Sequence, residues 1–144
     1  MALESLLAYS RFPGGWAGQA YNEIAFRHFL ALEHKRAEQS IRSFVLVLVG
    51  LRKHPGMSVR ISPALAGELF SGLELCVREV DFVGWYREAR LVGAVLTQGA
   101  DADTQPDVPR RVADRVTQVL GRRLPAHVAQ RLQVRVLVRP KVRY

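Results

Sequence analysis

The 144-residue chain contains one cysteine, Cys76, so it can form no internal disulfide and no site built from several thiolates. That usage suits a reducing compartment, and Cys76 reads as a small core residue. Long apolar runs are also missing. The longest, Phe44 to Leu51, falls far short of the roughly 20 residues that a membrane-crossing helix needs, and the N-terminus lacks the basic and then apolar pattern of a secretory signal. A cytoplasmic location without membrane insertion is therefore expected. Acidic side chains are scarce: 13 Asp and Glu stand against 21 Lys and Arg, for a net charge of +8. Such a surplus attracts anionic partners without naming one. Histidines are few and scattered; His28, His34, His54 and His127 include no pair four residues apart that would share a helix face as metal ligands. No serine or cysteine lies in a recognisable nucleophile signature. No phosphate-cradling glycine loop follows a strand, since Gly14-Gly15 precedes a helix and lacks the further glycines and lysine.

What remains fits one globular domain preceded by a short extension. Met1–Gln19 carries a small apolar patch (Leu3, Leu6, Leu7) and then the helix-breaking Pro13-Gly14-Gly15 before Trp16. It reads as a short helix and loop, with Trp16 as a packing anchor. Residues 20–144 form the domain. Ile24, Phe26, Phe29, Leu30, Leu32 and Ala37 fall mostly at three- and four-residue spacing, predicting a helix over 21–40 with Asn22 as its N-cap. Ser43–Gly50 is a continuous aliphatic run of strand length, as expected for a central strand buried on both faces. After a polar connector, Lys53–Arg60, Ser62-Pro63 begins a second helix that ends near Leu75. Residues 76–86 and 91–97 flank the polar Arg87-Glu88-Ala89-Arg90 and predict a hairpin. Val112, Val116, Val119 and Leu120 mark a third helix, stopped by Gly121 and Pro125. Leu132, Val134, Val136 and Val138 alternate with Gln133, Arg135 and Arg139 as in a half-exposed edge strand. Helix, strand, helix, hairpin, helix, strand suits an α/β (α+β) sandwich with helices covering a mixed sheet.

Particular residues sharpen this. Phe26, Leu30, Glu33, Arg36 and Ala37 match an F-x-x-x-L-x-x-E-x-x-R-A helix. Phe44–Lys53 matches a strand that usually ends in D-x-D. Arg78-Glu-Val-Asp81 matches an R-x-x-D stretch before a signature turn, and Leu91–Thr97 matches the strand after it. Together these resemble the GGDEF, or diguanylate cyclase, domain of bacterial signalling proteins. The resemblance implies a ferredoxin-like nucleotide-cyclase sandwich. It covers 21–97 by local sequence and the remainder by element order.

In that family carboxylates hold two metal ions that neutralise a triphosphate and activate the attacking hydroxyl. Here the strand-end acidic positions align with Gly50 and Arg52, and the signature turn aligns with Arg87-Glu88-Ala89-Arg90-Leu91. The paired glycines are absent and Glu88 is the one carboxylate nearby. The resemblance with these departures leads to the expectation of a non-catalytic regulatory or scaffold module of bacterial signalling, with no metal and no cofactor. Its expected partners are other signalling or envelope-biosynthesis proteins.

Arg78 and Asp81 hold the place of the family's product-sensing pair, so cyclic di-GMP is a candidate ligand, with Trp85, Arg87 and Arg90 adding stacking and charge. A plain ion pair fixing the hairpin is the alternative role for Arg78 and Asp81. Met1–Gln19 is a candidate homodimer contact, and a pure interaction domain that binds no nucleotide is one alternative function. The other is nucleic-acid binding through the basic tract from Asp107 to Tyr144, where ten basic residues face two acidic ones. Against it, no recognition-helix module is evident and aromatics are missing from that tract until Tyr144.

Overall fold

The structure, a computed structural model, describes residues 20–40, 42–54, 56–76, 80–97 and 107–139, with the side chains of Cys76, Val80 and Asp81 outside that description. The extension Met1–Gln19 lies outside the described residues. In chain order the elements are α1 (Glu23–Ser40), β1 (Phe44–His54), β2 (Met57–Ser58), α2 (Pro63–Cys76), β3 (Val80–Arg87), β4 (Leu91–Leu96), α3 (Val108–Arg123), α4 (Ala126–Ala129) and β5 (Leu132–Arg139).

β1 is the spine. β4 pairs with one edge from Val45–Leu96 to Gly50–Leu91, and β5 pairs from Phe44–Arg139 to Leu51–Leu132. β3 joins the outer edge of β4, and the short β2 folds back on the end of β1. These strand pairings are all antiparallel. The parallel component expected of a mixed sheet is confined to an isolated bridge between Tyr21 and Gly84. β1 and β3 still run in the same direction with β4 between them and α2 connecting them, the split βαβ arrangement of ferredoxin-like folds.

The uninterrupted apolar run of β1 is explained by helices on both faces. Val45, Val47, Val49 and Leu51 enter one core with Leu69, Phe70 and Leu73 of α2 and Val116 and Leu120 of α3. Phe44, Leu46 and Leu48 enter a second core with Phe26 and Ala37 of α1 and Val95 of β4. Fully burying a side chain such as Phe26 contributes about 1.5–3 kcal/mol.

Phe26 seats against the sheet because Gly84 and Gly93, partners across β3 and β4, leave a slot there. A Cβ on Gly93 would lie 2.6 Å from the Phe26 ring, and one on Gly84 would lie 2.6 Å from the Tyr21 carbonyl oxygen. That carbonyl accepts the Trp85 N–H at 2.9 Å while the Tyr21 N–H donates to Val83 O at 2.9 Å. The entry to α1 is thus bonded to β3, and the Asn22 side chain caps the helix by accepting the Ala25 N–H at 2.8 Å. Ser62 caps α2 in the same way, accepting the Leu65 N–H at 3.3 Å.

Two boundaries differ from the expectations, and one short element is added. β1 continues past Gly50 to His54 and makes a hairpin with β2 inside the expected connector. α3 runs through Gly121 to Arg123, because Gly121 keeps helical backbone and the chain becomes extended only at Leu124, before Pro125. The single turn α4 then leads into β5. Among the described residues, no helix is long and apolar enough to cross a membrane.

Candidate functional site

Where β1 leaves the sheet core, a cleft of about 280 Å³ opens, lined by Arg52 and Leu48 of β1, Gly56, Met57 and Ser58 of the β1–β2 hairpin, Arg87, Arg90 and Leu91 of the β3–β4 hairpin, and Gln133 and Arg135 of β5. Sheet register explains the convergence. Leu48 pairs with Arg135 and Gly50 with both Gln133 and Leu91, so these side chains share the α1 face of the sheet. Gly50 belongs there for steric reasons, since a Cβ would lie 2.8 Å from Leu91 Cδ2.

Both hairpins are tied together at the rim. Arg90 Nη1 donates to Ser58 O at 3.0 Å, and the Ile61 N–H donates to Ala89 O at 2.7 Å. Ala89 holds a left-handed backbone, φ 57°, which points its carbonyl at Ile61 and carries the strain of a side chain in that region. From the other side, Glu23 accepts the Glu88 N–H, and Arg27 Nε donates to Tyr86 O at 3.0 Å while its guanidinium lies 4.7 Å from the Tyr86 ring centre. The turn is therefore held by α1 as well as by the β1–β2 hairpin.

Four guanidiniums line this cleft, and no carboxylate does among the described residues. The ion pairs seen are Glu23–Arg27, Glu33–Arg36 and Glu68–Arg123, so Arg52, Arg87, Arg90 and Arg135 are left without an acidic partner among the described residues. Hard divalent cations take anionic oxygen ligands. A lining of guanidiniums, one amide and one hydroxyl does not fit such an ion.

Arg87 and Arg90, singled out from the sequence, both reach the cleft. Trp85 does not: it is 6% exposed and its ring packs edge-on against Phe70, 5.4 Å between centroids, in the α2–α3 core. Alternation along β3 explains the correction, because Trp85 and Arg87 share a strand parity that the irregular pairing between Trp85 and Arg87 breaks. Arg78 lies outside the described residues. Asp81 is placed by its backbone alone, in β3 between Val80, opposite Leu96, and Phe82, opposite Val95. Arg52 appeared in the sequence reading as a departure from an acidic position, whereas Arg135, Gln133, Met57 and Ser58 were missed as site residues. The alternation of β5 set Gln133 and Arg135 on one face, but only the pairing with β1 brings them beside Arg52.

The basic C-terminal tract divides between the two sides of the sheet. α3 packs Val116 and Leu120 into the core opposite α1, with Arg110, Arg115 and Arg122 exposed, while Arg135 faces the cleft.

No protein-family model matches the sequence, and no curated protein matches it. Solved structures do match. A DGC protein from Thermotoga maritima superposes with a TM-score of 0.60 at 16% identity, over 85% of this chain and 84% of that one. The diguanylate cyclase SiaD from Pseudomonas aeruginosa, solved in complex with its activator SiaC, superposes with a TM-score of 0.54 at 20% identity, over 94% of this chain and 51% of SiaD. The chain thus spans about half the length of SiaD, and its fold is the GGDEF-type nucleotide-cyclase fold.

Proposed function

We propose that this chain is a non-catalytic module that uses the diguanylate-cyclase fold to regulate by binding, in bacterial signalling, rather than to convert GTP. The observation that carries the reading is the charge of the cleft. Gly50 and Arg52, the positions aligned with the metal-holding acids, sit at its edge, and the other charged groups lining it are Arg87, Arg90 and Arg135. Two-metal phosphoryl transfer needs anionic oxygens to hold its ions and to balance their charge. Guanidiniums repel such ions, and Glu88 alone cannot replace a set of carboxylates.

The test is incubation of the protein with GTP and Mg²⁺ or Mn²⁺, followed by chromatography of the products. No cyclic di-GMP above the protein-free control is the expected result. Its formation at enzyme-like rates overturns the reading.

Regulation then rests on partners. SiaD, which shares the fold, is solved with a protein activator, and this supports a protein partner here. The R-x-x-D spacing of Arg78 and Asp81 supports cyclic di-GMP as a second input, because a guanidinium fork can pair with phosphate or a guanine edge while a carboxylate accepts from guanine. Calorimetric titration with cyclic di-GMP should give heat that Arg78→Ala abolishes. An absence of heat from the unmodified protein removes that input and leaves the protein-partner reading in place.

A further inference from the structure

We infer that the arginine-lined cleft is a metal-independent binding site for a compact diphosphate-type anion, an assignment that rests on the non-catalytic reading above. Arg52 of β1, Arg87 and Arg90 of the β3–β4 hairpin and Arg135 of β5 come from three separate segments, and the sheet register and rim hydrogen bonds bring them around one cleft of about 280 Å³. Side chains of like charge gathered in this way, without acids among them, favour an anion in their midst. Arg90 has one N–H engaged with Ser58 O, and each guanidinium offers five donors in a planar fork. Phosphate oxygens match that fork in paired hydrogen bonds.

Two linked phosphates suit the lining better than one. Arg87 and Arg90 of the β3–β4 hairpin and Arg135 of β5 lie on either side of β1, which carries Arg52, so their forks can take oxygens from different phosphates. Ser58 and Gln133 supply further polar groups, and Leu48 and Leu91 add apolar lining. Met57, 55% exposed at the rim, offers a surface for any organic group that the diphosphate carries.

The arginines do what divalent ions do elsewhere: they neutralise phosphate charge. Mg²⁺ in solution should therefore compete with the cleft for the diphosphate and weaken binding. This is the opposite of a site that takes a metal–nucleotide complex.

The experiment is isothermal titration of the full chain with inorganic pyrophosphate in EDTA, repeated with excess Mg²⁺ and at higher salt. Saturable one-to-one binding is expected in EDTA, weakened by Mg²⁺ and by salt. Arg52→Gln and Arg135→Gln should each weaken it by about tenfold or more, the scale of a lost charge-assisted pair. Arg115→Gln and Arg122→Gln, exposed on α3 across the sheet, should leave it unchanged. Orthophosphate, guanosine diphosphate and adenosine diphosphate under the same conditions separate an inorganic ligand from a nucleotide.

Binding that requires Mg²⁺, binding equally sensitive to the α3 substitutions, or no binding in EDTA overturns the assignment. None of those results produces cyclic di-GMP from GTP, so the non-catalytic reading falls or stands on its own test. Circular dichroism of each variant confirms that the fold is kept.

Discussion

Ser43 shows how one side chain can be set against its surroundings. It is 4% exposed just before β1, and its hydroxyl has no hydrogen-bond partner among the described residues. A buried hydroxyl without a partner loses its water and gains nothing in return. Ser43→Ala should therefore raise stability by about 1 kcal/mol, read from urea unfolding, within the range for such groups. A loss of similar size would mean that the hydroxyl is bonded. Ala89 carries strain of a different kind. Its left-handed backbone is tolerated because its carbonyl accepts the Ile61 N–H and holds the rim of the cleft. Ala89→Gly should relieve about 1 kcal/mol of that strain, raising the midpoint of thermal unfolding while the rim bond is kept; a lower midpoint would show that the turn does not strain Ala89. Neither feature was legible in the sequence, because burial without a partner and a positive φ depend on which segments meet. The sequence did expose Arg87 and Arg90, since a hairpin turn is a local pattern, while Arg52 stood out there only as the loss of an acidic position. Trp85 was misjudged because the face that a strand residue takes depends on an irregular pairing near the hairpin.

Among the elements, the β3–β4 hairpin and the starts of α1 and α2 were readable because their signals are local: Asn22 and Ser62 as caps, and Arg87–Arg90 as a polar break between apolar runs. The extension of β1 to His54 was not, since Arg52, Lys53 and His54 look like connector until β2 pairs with them. The glycines of the middle strands decide how α1 sits. Gly93→Val would push branched carbons into the Phe26 ring and should destabilise by about 2–3 kcal/mol, the scale of overpacking a close-packed core. Gly121→Ala, a change inside α3 with nothing within 4 Å of the new methyl, should instead stabilise by up to about 1 kcal/mol. Equilibrium unfolding of the two variants side by side checks both signs, and equal effects would contradict the packing of α1 on β3 and β4.

At the scale of the molecule, the order of elements indicated an α/β sandwich and the resemblance carried by residues 21–97 implied the particular fold, which solved cyclase structures share at 16–20% identity. The site was only half legible. Its hairpin arginines came from the sequence, whereas Arg52 was marked there only as a lost acidic position and Arg135 joined them through pairing across more than eighty residues, which no local pattern records. The net charge of +8 reads differently once folded, because four of its basic groups gather in the cleft and others stand on the exposed face of α3.

The most direct measurement is an anomalous diffraction map from crystals of the protein grown with GTP and Mn²⁺, which locates manganese without reference to turnover. A cleft that repels cations should show no anomalous peak beside Gly50, Arg52 and Ala89. Two ordered manganese peaks at that end of β1 would contradict it.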